Sequence, residues 1–206
     1  MRKITINLAA VAAFCIVVAS PALVSSSCAT PQTEQEDTTI IREDLGITAL
    51  KYSSPEVPSS IEFCGKVIDL SRFDRHERMD RELLAFTYMH STSLQMLKKA
   101  NRYFPIVEPI LKENGIPDDF KYLMVIESNM NPTARSSAGA AGLWQFMQGT
   151  GRDYGLEVNN NVDERYHIEK ATRAACRYLK DAYAKYKDWV AVAASYNAGQ
   201  ARTVSY

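Results

Sequence analysis

Pro117-Asp118-Asp119-Phe120-Lys121-Tyr122-Leu123-Met124-Val125-Ile126-Glu127 is the stretch on which the reading of this chain turns. Proline suits the first turn of a helix, where its missing N–H costs nothing. Asp118 and Asp119 face the positive end of the helix dipole. The run is apolar from Tyr122 and arrives at Glu127, and Asn129, Asn131 and Pro132 end it. A loop follows in which Ser136, Ser137, Gly139 and Gly142 stand among four alanines. No Asp or Glu occurs from Ser128 through Arg152, while Arg135 and Arg152 fall in that span. A carboxyl at the end of an apolar helix is poorly solvated, which favours its neutral form. A carboxylic acid still protonated near neutral pH is what glycosidic cleavage needs for its departing oxygen. Spacing alone leaves a second reading open, in which Glu127 caps a backbone amide or pairs with Arg135.

Outward from this stretch the pattern is helical from about residue 61. Strand signals are scarce, and Gly65 to Leu70 is the best of them. Met79, Leu83 and Phe86, then Leu94, Leu97 and Phe104, recur at the helical period. Pro105 and Pro109 are expected to break that second run, and Asn114-Gly115 to stop it. Leu143 to Tyr154 reads as another helix, loosened by Gly149 and Gly151. Ile168, Ala171, Ala175, Leu179, Ala182 and Tyr186 give the cleanest amphipathic helix. Trp189 to Ala198 is almost wholly apolar and therefore expected at the centre. No internal repeat is visible, and the fold class is mainly α.

The chain has 206 residues, 46% of them apolar and 23% charged, a globular composition. Lys+Arg and Asp+Glu tie at 24 each, so no basic field points to nucleic acid. Nucleotide-binding glycine motifs are absent. Arg2 and Lys3 precede the apolar run Leu8 to Ala19 and small residues follow, the order of a secretory signal. Ser27-Cys28 resembles the lipidation site of bacterial lipoproteins, with Ser25 and Ser27 at positions where Leu and Gly or Ala are usual. Residues 1–27 are thus expected to be a signal peptide and Cys28 a lipid attachment site. The alternative is plain cleavage nearby and a soluble periplasmic protein. Residues 28–60 have the polar, acidic composition of a linker, and residues 61–206 form the domain. Without residues 1–27 the chain keeps 22 cations against 24 anions, a net charge of −2. Of the four cysteines, Cys64 and Cys176 remain either as a disulfide or as buried thiols. His76, His90 and His167 show no metal-ligand spacing, and neither metal nor cofactor is expected.

Glu127-Ser128, then Gly139-Ala140-Ala141-Gly142-Leu143-Trp144-Gln145-Phe146-Met147, then Ser195-Tyr196-Asn197-Ala198-Gly199 resemble the lytic transglycosylases of the lysozyme-like superfamily. Asp163-Glu164-Arg165, Pro117-Asp118 and Tyr122-Leu123 look most like the membrane-bound murein transglycosylase D branch. The resemblance covers roughly residues 62–204. It implies a lysozyme-like, goose-type helical domain with peptidoglycan glycan strands as partner. In the family one Glu, here Glu127, protonates the β-1,4 bond between N-acetylmuramic acid and N-acetylglucosamine. The same Glu then takes the proton of the C6 hydroxyl, which closes a 1,6-anhydro ring. Ser136, Gly142, Gln145, Met147, Tyr196 and Asn197 match positions that hold the substrate. Trp144 and Phe146 read as core, and Asp163-Glu164-Arg165 as an anchor for the following helix. A Tyr196 hydroxyl could orient the carboxyl or satisfy another buried group. The sequence departs from the family at Ser195, where Ala is commoner. It also stops seven residues after Gly199, where relatives continue with further helix, so a domain cut short is expected. A lysozyme-type hydrolase and a non-catalytic glycan-binding protein are the alternatives that the fold alone leaves open.

Overall fold

The computed structural model describes residues 54–198, with side chains to residue 196. The expected signal peptide, Cys28 and the linker up to residue 53 lie outside the described residues, as does the stretch from Gly199 to Tyr206.

The described chain opens on a hairpin. Strand β1 (Ser60–Phe63) pairs antiparallel with β2 (Lys66–Asp69), with Phe63 opposite Lys66. A two-residue connection of this kind needs left-handed backbone at both positions. Cys64 (φ 51°) and Gly65 (φ 77°) supply it. The Cys64 N–H donates to Asp119 Oδ2 at 2.7 Å, which pins the hairpin to the turn that opens the Glu127 helix. The expected strand at 65–70 is thus present, while β1 replaces the helix expected from residue 61. Its inward residues are only Ile61 and Phe63, too few for alternation to register in the sequence.

Six helices follow among the described residues: α1 (Phe73–Tyr88), α2 (His90–Glu113), α3 (Lys121–Ser128), α4 (Gln148–Asp153), α5 (Ile168–Tyr186) and α6 (Trp189–Ala198). Short 3-10 turns at Asp118–Phe120 and Glu164–Tyr166 precede α3 and α5. Helix α2 lies against α3 and α5, and α5 against α6. The shared core includes Phe63, Phe104, Phe120, Leu123, Met124, Trp144 and Leu179. A smaller cluster of Ile61, Leu70, Met79 and Leu83 joins the hairpin to α1.

Three expectations are corrected. Pro105 and Pro109 do not break the second helical run; α2 passes through both. The two prolines lie four apart on the exposed face. The carbonyls of Asn101 and Pro105, deprived of ladder donors, can therefore be hydrated, while burial of Tyr103, Phe104, Val107, Ile110 and Leu111 holds the opposite face. Leu94 and Leu97, expected in the core, are 60% and 38% exposed. Phe104 is buried as expected, but in the first half of the helix the phase differs: Met96 and Ala100 are buried there, followed by Tyr103, Val107, Ile110 and Leu111. Finally, Leu143 to Tyr154 is not one helix. Ala141 bridges to Phe146 in antiparallel fashion, Gln145 is left-handed (φ 48°), and only Gln148–Asp153 is helical. Trp144 and Phe146, expected in the core, are both buried although 143–147 is not helical.

The bounds of α5 and α6 follow the sequence reading, while of the described α6 side chains only Val192, Ala193 and Ser195 are fully buried. His167 caps α5, and Lys187 (φ 55°) turns the chain into α6, where Asp188 Oδ1 accepts from Val190 N–H. Trp189 stacks on Tyr183 with centroids 4.1 Å apart and meets Phe120 edge-on at 5.3 Å. Ser195, where the family prefers Ala, is buried and donates to the Val192 carbonyl at 2.8 Å, so its hydroxyl is satisfied. Cys64 and Cys176 are both free thiols. Burial pushes the Cys176 thiol up to about 11. No helix among the described residues is long and apolar enough to cross a membrane.

Candidate active site

Helix α3 is short and sunk into the protein: Tyr122, Leu123, Met124 and Val125 are all buried. It closes with a left-handed Asn129 (φ 50°), and the Met130 N–H reaches back to the Met124 carbonyl, a Schellman-type stop. Lys99 Nζ donates to the Asn129 carbonyl at 3.0 Å, complementing the negative helix end. Glu127 sits in the last turn before this stop.

Its carboxyl is the exceptional group of the molecule. Oε1 is buried and has no hydrogen-bond partner among the described residues. Buried polar atoms are nearly always paired, so an orphan is informative. Burial pushes the Glu127 carboxyl up to about 7. Neither alternative of a backbone cap nor a pair with Arg135 is realised at Oε1, and Arg135 instead lowers the pKa of Asp163.

The next residue, Ser128, ties this helix end to the loop. Its hydroxyl lies 2.9 Å from the Met124 carbonyl and 3.0 Å from the Leu143 carbonyl. One proton serves two acceptors. The loop is a compact knot. Ser136 N–H donates to the Ala140 carbonyl at 2.9 Å, and Ser136 Oγ accepts from Ala140 N–H at 3.0 Å. Gln145 Nε2 donates to the carbonyls of Gly142 at 2.8 Å and Ala134 at 3.3 Å. Gly142 has φ 78°, and a Cβ there would lie 1.9 Å from the Arg165 carbonyl oxygen. The close approach that this glycine permits is therefore to the protein's own backbone.

The expected site residues take distinct positions. Gly142 and Gln145 bond to each other inside the loop, which Ser136 closes at its other end. Met147 stands 45% exposed just beyond, at the start of α4. Tyr196 comes from α6. Its hydroxyl donates to the Trp144 carbonyl at 2.8 Å rather than to the Glu127 carboxyl. Burial, with the nearby Glu127 charge as the next cause, holds its phenol well above the usual value. Asn197 falls in the last turn of α6, and its side chain lies outside the described residues. Trp144 is fully buried with Nε1 donating to Thr172 Oγ1 at 3.0 Å, a core role.

The other acids of this region are engaged elsewhere. Asp163 holds Arg165, Glu164 pairs with Lys170 and accepts from Glu157 N–H, and Glu157 accepts from Asn159. Asp153 lines a surface groove with Arg177, Lys180 and Asp181. Among the described residues, burial is the cause acting on the Glu127 carboxyl, and no neighbouring carboxylate contributes. Among the described residues no three His, Cys, Asp or Glu side chains gather as metal ligands. Sequence reasoning missed the reach of Arg165, which bonds Gly139 and Phe146 across the loop. Only the Asp-x-Arg spacing hinted at it.

Residues 105–206 match the transglycosylase SLT domain family. Over 129 residues the chain is 31% identical to membrane-bound lytic murein transglycosylase D of Escherichia coli K12, and equally to that of E. coli O6:H1. The match takes in 62% of this chain and 28% of that protein, so the chain spans under a third of the relative's length. Over 92 residues it is 34% identical to peptidoglycan transglycosylase gp16 of Escherichia phage T7, covering 43% of this chain and 7% of the phage protein. With a mainly helical fold, a half-buried Glu with one orphaned oxygen at the end of α3 and this match together, the chain carries a transglycosylase SLT domain and belongs through it to the lytic transglycosylases of the lysozyme-like superfamily.

Proposed function

We propose that this protein is a peptidoglycan lytic transglycosylase that cleaves the β-1,4 bond between N-acetylmuramic acid and N-acetylglucosamine without consuming water. The observation that carries the reading is the Glu127 carboxyl, whose buried Oε1 has no hydrogen-bond partner among the described residues and which burial pushes up to about 7. At neutral pH such a group is divided between acid and base forms, and it can serve in both capacities within one turnover. As the acid it protonates the departing glycosidic oxygen. As the base it takes the proton from the C6 hydroxyl of the same muramic acid, whose oxygen attacks the anomeric carbon and closes the 1,6-anhydro ring. An intramolecular nucleophile has a large effective concentration. The site therefore has no need of a second carboxylate to hold a water or to form a covalent bond.

Ser136, Gly142, Gln145, Met147, Tyr196 and Asn197 are proposed to frame the glycan around that carboxyl. For Gly142 and Gln145 the contribution is the shape of the loop, since both are spent on internal bonds. The mature protein is proposed to be exported and tethered to a membrane through lipid on Cys28. Cys28→Ala should release it from the membrane fraction.

Digestion of purified peptidoglycan, with the fragments weighed, tests the reaction. Anhydro-ended muropeptides, lighter by one water than hydrolytic products, are expected. Reducing ends would instead indicate a lysozyme-type hydrolase, and retention on sacculi without release would indicate a binding protein.

A further inference from the structure

Glu164 meets the expectation for its segment by pairing with Lys170 at the start of α5. Arg165 does something different. Its side chain is 4% exposed and divides its donors between two tasks. Nε and Nη2 take the two Asp163 oxygens at 2.9 and 2.7 Å. Nη1 donates to the Gly139 carbonyl at 2.9 Å and the Phe146 carbonyl at 3.0 Å. Its own carbonyl fills the space that a Gly142 side chain would need. One residue thus touches the loop near its start, middle and end. Two tethers around Glu127 hang from the same loop: the Leu143 carbonyl takes the hydroxyl of its neighbour Ser128, and the Trp144 carbonyl takes that of Tyr196.

We infer that Arg165, held by Asp163, is a positioning residue for Glu127: it fixes the 139–146 loop whose carbonyls hold Ser128 and Tyr196 around that carboxyl. The inference rests on the reading of Glu127 as acid and base. Only a guanidinium presents a planar fork of donors to a carboxylate while sparing another for two carbonyls. A lysine ammonium carries the charge but cannot span all these acceptors. Small displacements of a reacting group are expensive in rate, so a loosened loop should affect turnover more than affinity.

Arg165→Lys in the full chain tests this in two ways. Hydrogen exchange at the Ala141 and Phe146 amides, which bond across the loop, should quicken about tenfold or more, with the amides of α2 unchanged. On glycan fragments, kcat per folded molecule should fall about tenfold or more while KM stays within about threefold. Parental exchange at those two amides, or parental kcat in a folded variant, overturns the inference. Should Arg165→Lys not fold, Asp163→Asn leaves the guanidinium in place, loosens one side of the clamp and is judged on the same two readouts. A parent that yields no anhydro ends defeats the proposed reaction instead, and the exchange measurement still judges the clamp.

Discussion

The end of α3 and the Asp163–Arg165 segment handle the same chemical group in opposite ways. Asp163 is surrounded by donors: Arg165 offers Nε, Nη2 and its backbone N–H, and the side-chain bonds, aided by the backbone one and against the opposing effect of burial, hold its carboxyl below the usual carboxylate range. Glu127 buries Oε1 with no donor to it among the described residues, and burial moves its carboxyl up. A paired carboxylate is committed to one ionisation state and becomes part of the framework. A bare one stays poised between two. The difference is a practical guide to function, because folding rarely leaves a polar atom orphaned unless something other than stability selects it.

The largest test of this contrast is Glu127→Gln. Cleavage of peptidoglycan should fall about a thousandfold or more, as expected for loss of a general acid, with an unchanged circular dichroism spectrum. Residual cleavage near the parental rate would mean that the orphaned oxygen has no catalytic meaning. Next comes Gly142→Ala, which forces a side chain onto the Arg165 carbonyl in left-handed backbone. It should cost about 3 kcal/mol in urea denaturation, and a neutral result would break the link between the two regions.

A third test uses pH, for which the two acids have opposite signs. The folded protein holds the Glu127 proton more tightly than the unfolded chain, whose value is near 4.5. The stability associated with that proton is full below about 4.5 and is lost as pH rises toward about 7. Glu127→Gln, which cannot ionise, should therefore gain about 3 kcal/mol over the parent at pH 8 and nothing at pH 4. Asp163 runs the other way. Its bonds stabilise above the ordinary carboxylate value and weaken as pH falls through its lowered one. Parental cleavage should likewise decline above about pH 7, as Glu127 loses the proton it must donate. The smallest effect is Ser128→Ala, which frees the Leu143 carbonyl and should lower stability by about 1 kcal/mol in thermal melts.

Much of this arrangement was legible in the chain because local features dictate it. Pro117, the paired aspartates and an apolar run ending in Glu127 describe a helix that must bury itself, and α3 does so. The periodicity of α5 and the apolar α6 were equally plain. What escaped depended on partners distant in sequence. The phase of α2 was set by what packs on it, so Leu94 and Leu97 faced outward while Met96 and Ala100 turned in. Prolines that end an isolated helix were carried by a buried face. The 143–147 segment has apolar residues at helical spacing, yet cross-loop bonds to Ala134 and Ala141 and the Arg165 fork gave it another shape. Arg165 reads in the sequence as part of an anchor for the following helix, and nothing there announces its bonds to the Gly139 and Phe146 carbonyls. Periodicity reports which faces are apolar; it does not report which carbonyl needs a donor.

The run of α2 through Pro105 bears on how this domain can be handled. The family match starts at Pro105, midway along a helix that spans His90–Glu113. A fragment begun there would sever α2 and discard Phe104, Tyr103 and the hairpin residue Phe63, all of which pack into the same core as Trp144. Inherited units and folding units have different edges here, and a cut made at the first would leave the second exposed and prone to aggregate.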